Sequence, residues 1–166
     1  MVKPALYNLF IFIPCNKDTL SSSFKIPYMH ITHTMLTTAS PERIWKIWTD
    51  VKNWKQWDVM LRGALLKGNF QKNVHGVFIP EKGPKAEFTV TSCDPNFSYT
   101  VTTKLPLAQI HIHRFLGYHN MKTTFTHEIW VEGPLSWMWW KFLGRSATTQ
   151  LSQAMKNVKQ LAEAEG

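Results

Sequence analysis

Three histidines, His111, His113 and His127, lie on two neighbouring strand-like segments in the C-terminal half of the chain. Imidazole has an ordinary pKa near neutrality, so each ring can take or give a proton there, and three together can bind zinc. On the later segment Thr123, Phe125, His127, Ile129 and Val131 share one face, and Lys122, Thr124, Glu128, Trp130 and Glu132 share the other. The first set is the more apolar and is expected to point inward, carrying His127 with it. On the earlier segment Ile110 and Ile112 oppose His111, His113 and Phe115, and alternation does not decide which set is inner. No carboxylate is expected beside His127 to orient a metal ligand, and His-x-His recurs by chance, so neither a metal nor another cofactor is expected. Asp50, Asp58, Glu81 and Glu87 fall on different elements, which argues against a paired-carboxylate mechanism. There is no Gly-x-Ser-x-Gly nucleophile signature and no Gly-rich phosphate loop. What remains is acid–base work, with His127 as the candidate.

The elements that must position these groups are mostly strands. His30–Thr37, Met60–Phe70, Val74–Ile79, Ala86–Thr91, Phe97–Lys104, Leu107–Leu116 and Met121–Val131 read as strands. Pro80–Pro84 and Asp94-Pro95-Asn96 supply turns, Gly117–Asn120 supplies the last hairpin, and Asn73 tolerates a left-handed turn. No helical pattern separates the later strands, so the sheet is expected to be antiparallel. Between the first two strands, Ala39–Asp58 reads as two short helices carrying four of the eight tryptophans. Ser40 can cap the first helix, Pro41 suits its first position, and Glu42 favours its positive end. Ile44, Trp45, Ile47 and Trp48 make one apolar face, and Trp54 and Trp57 follow on the second piece. That much aromatic area must close against something large and concave. Gly133-Pro134 opens a final helix of about 28 residues, whose Leu143, Ala147, Leu151, Ala154, Met155, Val158, Leu161 and Ala162 keep an i, i+3, i+4 stripe. Gly144 costs that helix about 1 kcal/mol relative to alanine and marks a kink or a close approach. The fold class is α+β, a curved antiparallel sheet of six to seven strands wrapped around the last helix.

The run Ala39-Ser40-Pro41-Glu42, Ile44-Trp45, Asp50-Val51, Trp54 and Trp57 resembles the opening of the SRPBCC, or START-like helix-grip, superfamily. Phe70, Gly76, Pro80, Lys82, Gly83, Leu105-Pro106, His111 to His113 and Gly133-Pro134-Leu135 are similar to its polyketide cyclase/dehydrase-like branch. The resemblance covers Met29 to Glu163 and departs at Asn73, where that branch usually has glycine. It implies a helix-grip domain over 29–166 and a cavity between sheet and last helix. It also implies that the His111 and His113 face is the inner one, beside His127. Tyr99, Thr103 and Thr123 would add hydroxyls there, and Trp57, Phe88, Phe125, Trp139 and Phe142 would supply aromatic walls. An unpartnered buried polar group costs about 1–3 kcal/mol, so those groups must either bond one another or face a guest or water. Three functions follow. The chain binds a hydrophobic small molecule or lipid, acts as a cyclase or dehydratase on such a molecule, or serves as an RNA-, ribosome- or membrane-interacting module.

A chain of 166 residues at 44% hydrophobic can bury a core without staples. Cys15 and Cys93 are its two cysteines, so no disulfide framework is indicated, Cys93 reads as structural, and a reducing cytoplasm is the default location. The formal charge of +8 is spread from Lys3 to Lys159 without a run, which does not favour a nucleic-acid partner. Trp137 and Trp140 leave peripheral membrane contact open, with a pocket lid as the alternative, and a monomer or a homodimer is expected. Residues 1–28 form an N-terminal extension whose apolar run, Leu6 to Ile13, is too short to span a bilayer. A plain extension, a secretory signal and an added strand are all compatible with it.

Overall fold

The computed structural model describes residues 29–164, without the side chains of 29 and 143–146. The expectations for residues 1–28, and for Leu143 and Gly144, lie outside that description. β1 (Met29–Thr37) leads into α1 (Pro41–Thr49) and a 3₁₀ segment (Val51–Gln56). There follow β2 (Leu61–Leu66), β3 (His75–Pro80), β4 (Ala86–Asp94), β5 (Ser98–Leu105), β6 (Ala108–His119), β7 (Lys122–Glu132) and α2 (Ser136–Glu163). The seven strands make one antiparallel sheet in the order β1-β7-β6-β5-β4-β3-β2. Every neighbour pair except β1 and β7 is therefore consecutive in sequence. That order puts the β3–β4 and β5–β6 turns and the start of α2 at one end of the sheet, and the other three turns at the opposite end.

Local chemistry sets these boundaries. The Ser40 hydroxyl accepts from the Arg43 amide at 3.3 Å, and Pro41 opens α1 without an amide to leave unpaired. Trp54 Nε1 donates to the Trp48 carbonyl at 2.9 Å, which ties the 3₁₀ segment to α1. Ile44 and Trp48 of α1, with Val51 and Trp54, are buried against the concave face. Asn73 takes a φ of 68° in the turn before β3. Gly76 faces Phe88 across the β3–β4 pair, and a Cβ there would lie 2.2 Å from the Phe88 ring and 2.6 Å from the Leu65 carbonyl. The absent side chain lets the ring lie over the strand.

α2 lays Ala147, Leu151, Ala154, Met155, Val158 and Ala162 on the sheet, as their spacing predicts. Its last turn is held at β1, where Glu163 Oε1 accepts from the Thr37 hydroxyl at 2.7 Å and from the Thr38 amide at 3.1 Å. Its first turn meets the β5–β6 turn, where Trp139 Nε1 donates to the Pro106 carbonyl and the Leu135 amide to the Leu107 carbonyl, each at 3.1 Å. Among the described residues, no helix is long and apolar enough to cross a membrane.

Candidate functional site

The centre of the concave face is built around a cation that the sequence reading missed. β6 turns Ile110, Ile112, Arg114 and Leu116 inward, and Arg114 is only 1% exposed. Its Nη1 donates to the Tyr99 hydroxyl on β5, and its Nε donates to His127 Nδ1 on β7 at 3.3 Å. Asp58, just after the 3₁₀ segment, brings a carboxylate oxygen to 4.0 Å from Nη2. The guanidinium also lies 4.8 Å from the Trp57 ring centre, 5.3 Å from Trp54 and 5.5 Å from Tyr99, distances at which cation–π attraction operates. Asp58, Tyr99, Arg114 and His127 thus converge from four elements on one buried point.

Electrostatics follow from that burial. Loss of solvent pushes the Asp58 carboxyl above its usual range, against the opposing pull of Arg114 and the Met60 amide. Burial also raises the Tyr99 hydroxyl, again against Arg114. His127 is driven well below its ordinary value by burial first, then by Arg114, His33 and His113, so it is neutral at pH 7. A guanidinium can only donate, so His127 Nδ1 is the acceptor and the ring proton sits on Nε2. That Nε2 is buried with no hydrogen-bond partner among the described residues, and the same holds for Trp48 Nε1 and Trp57 Nε1. The interior is rich in donors and short of acceptors.

The expected site residues divide into two groups. Trp57, Phe88, Tyr99, Thr103, Phe125 and His127 are buried, with Trp57 against Arg114 and Phe88 stacked on Trp54 at 5.7 Å. His111 and His113 do not join them. They pair with Trp130 and Glu128 of β7 and stand on the convex face. His111 stacks on Trp130 at 4.9 Å and bonds Glu132 at 2.8 Å and Thr102 at 2.9 Å, while His113 Nδ1 lies 3.4 Å from Glu128. The physical reason is parity. An even-length hairpin loop pairs odd residues of one strand with even residues of the other, and paired residues share a face. His111 and His113 must then oppose His127, so the three imidazoles cannot share a cavity or a metal. Trp139 and Phe142 are corrections too. Phe142 lies nine residues before Leu151, half a turn round the helix from the buried stripe, and is 75% exposed. Trp139 reaches the β5–β6 turn instead of the interior.

Openings lie at the margins of the aromatic centre. A groove of about 560 Å³ runs beside the β5–β6 turn, lined by Lys104, Leu105, Leu107, Ala108, Gln109, Glu132, Gly133 and Pro134. A depression of about 110 Å³ lies between α1, the 3₁₀ segment and Leu161. Trp57 lines the second, and neither is lined by Tyr99, Arg114 or His127. Ile110 and Ile112 nevertheless face inward and are only half-buried, so the concave face of β6 stays partly uncovered toward the start of α2.

Solved structures share this architecture. The di-domain ARO/CYC StfQ from the steffimycin biosynthetic pathway matches with a TM-score of 0.69 at 9% identity over 83% of this chain. The chain spans about half of that protein, 51% of its length. TTHA0849 from Thermus thermophilus matches at 0.65 and 10% identity, over 83% of this chain and 99% of its own. Ara h 8.0201 matches at 0.62 and 7% identity, over 82% and 99%. The chain has the helix-grip fold. It is the fold that the resemblance to the SRPBCC superfamily implied. No family model and no curated protein sequence matches the chain.

Within this helix-grip, Cys93 is a half-buried free thiol whose pKa burial and Asp94 push up, away from nucleophile chemistry. The buried neutral His127 has a consequence for stability. The unfolded chain protonates this imidazole below about pH 6.5, whereas the folded chain resists. The unfolded state then binds more protons, and stability is lost as pH falls below that value. Chemical denaturation of wild type and His127→Phe is expected to show the wild type losing more on going from about pH 7.5 to about pH 5.5. Asp58 works in the opposite direction and is present in both proteins, so it cancels in the difference.

Proposed function

We propose that the helix-grip binds a small, mainly apolar ring-containing molecule that carries carbonyl or phenolic oxygens. The observation that carries this reading is the set of buried N–H donors without acceptors among the described residues, His127 Nε2, Trp48 Nε1 and Trp57 Nε1, in an interior where Trp54, Trp57 and Tyr99 wall the Arg114 guanidinium. A ligand oxygen would supply the missing acceptor, and the rings would take the apolar body. The half-buried inward faces of Ile110 and Ile112 favour entry between β6 and the first turns of α2. StfQ is named as an ARO/CYC of a biosynthetic pathway, which agrees with a ligand of this class.

A proton-transfer or carbonyl-polarising step on the bound molecule is the second reading. The neutral His127, with its proton on Nε2, favours it as a donor to a developing oxyanion.

Fluorenone and fluorene separate the ideas, because they share a ring frame and differ by one carbonyl oxygen. Titration followed by quenching of the buried tryptophans is expected to give saturable binding, tighter for the ketone by about ten-fold, the worth of one buried hydrogen bond. His127→Phe should erase that preference and leave fluorene binding intact. Equal affinities in the wild type, or no saturable binding of either probe, would refute the reading.

A further inference from the structure

We infer that His33 is a positioning residue for His127: it takes the first proton in acid, and its charge then keeps the buried ring neutral and bonded to Arg114. The inference rests on the reading of His127 as the site's neutral Nε2–H donor, and geometry carries it. His33 on β1 lies opposite His127 on β7, His127 opposite Arg114 on β6, and Arg114 opposite Tyr99 on β5. Directly opposed residues of antiparallel strands share a face, with Cβ atoms about 4.5–5.5 Å apart. Four ionisable side chains therefore stand in one line across the concave face. Burial falls along that line. Tyr99, Arg114 and His127 are buried, whereas His33 is half-buried on the edge strand. The line ends at the seam with α2, where Lys156 is exposed. Ile31 and Met35, which flank His33 in the inward row of β1, pack against the core, so packing alone does not call for an imidazole between them.

The surroundings fix the order of events as pH falls. Burial first, and then Lys156, hold the His33 imidazole below its usual range. His127 is buried more deeply and faces the permanent Arg114 cation directly, so His33 protonates before it. A second cation on the adjoining strand then opposes a proton on His127 Nδ1, the atom that accepts from Arg114 Nε. That acceptor, and with it the hold on the guanidinium, survives further into acid. The remaining charged groups nearby are engaged elsewhere. Asp58 meets Arg114 at Nη2, 4.0 Å away. On the convex face His113 pairs with Glu128 at 3.4 Å, and on α2 Lys159 pairs with Glu163 at 3.9 Å.

The test is a pH titration of the ligand-free full chain with nitrogen-15 labelled histidine and arginine, read by NMR at the imidazole nitrogens and at Arg114 Nε–H. In the wild type His33 is expected to titrate above His127, with His127 Nδ1 still unprotonated once His33 is charged. His33→Gln, uncharged and of similar reach, should raise the His127 midpoint by about one pH unit, a ten-fold gain in proton affinity, and lose the Arg114 signal correspondingly earlier. His33→Arg, charged at every pH, should return the midpoint to the wild-type value or below, which a merely structural role would not do. Equal His127 midpoints in wild type and His33→Gln, no rescue by His33→Arg, or a His127 that protonates first would each overturn the inference. Should His33→Gln fail to fold, Lys156→Gln at the exposed end of the line should raise the His33 midpoint, and an unmoved midpoint overturns the inference equally. Because no ligand is present, equal binding of fluorenone and fluorene would sink the ligand reading and leave this titration to decide the role of His33.

Discussion

Asp58→Ala is expected to cost about 3–5 kcal/mol of stability, because it strands a buried cation. Arg114 has no other ion-pair partner among the described residues, and its remaining neighbours are the Tyr99 hydroxyl, His127 and three aromatic rings. Those rings attract the guanidinium without neutralising it. The same substitution removes the oxygen that accepts from the Met60 amide at 3.0 Å, where the chain leaves the 3₁₀ segment. Urea denaturation should show the midpoint falling sharply with little change in slope. Adding Arg114→Met to Asp58→Ala should restore most of the loss, since an apolar side chain in that space needs no countercharge. A loss below about 1 kcal/mol from Asp58→Ala would mean that the aromatic cage alone sustains the charge.

Trp54→Ala is expected to cost a similar amount, about 3–5 kcal/mol, for a different reason. Its indole is fully buried, stacks on Phe78 at 5.8 Å and on Phe88 at 5.7 Å, and meets Trp57 edge-on at 6.2 Å. It also bonds the Trp48 carbonyl that ends α1. Removing it opens a large void, leaves the Trp48 carbonyl with only the Tyr99 hydroxyl at 3.4 Å and strips one wall from Arg114. Trp45→Ala is the comparison. That indole is half-buried with an edge contact to Tyr99 at 5.9 Å, and its loss should be clearly smaller. Equal losses at the two positions would deny Trp54 its central place.

Much of this was legible in the chain. Ser40-Pro41 and the tryptophan spacing located α1 and the 3₁₀ segment, and alternation gave the inward face of β7, including Phe125 and His127. β6 was harder to read because its inward row holds Arg114, a residue that ordinarily signals an outer face, while its outer row holds His111 and His113, which look like a site. The partners that explain those histidines, Glu128, Trp130 and Glu132, lie on another strand and become visible only once the two are put in register. The last turn falls at Asn120 and Met121, later than glycine suggested, because asparagine also accepts a left-handed backbone. Asp58, Tyr99, Arg114 and His127 form no motif. Tyr99, Arg114 and His127 meet through strand register and Asp58 reaches Arg114 from beyond the 3₁₀ segment, neither of which side-chain periodicity encodes.

The pairing of β1 with β7 bears on how the chain comes off the ribosome. Thr32 and Glu128, joined across that pair, are 96 positions apart, whereas every later strand finds a partner next in line. The meander can zip as it is synthesised, but the first strand must wait, single, until the last one exists. During that wait it is an open edge that other nascent chains can use as a template. Its row of His30, Thr32 and Thr34 keeps one side of it wet in the interval, so these side chains serve the birth of the protein as well as its finished surface.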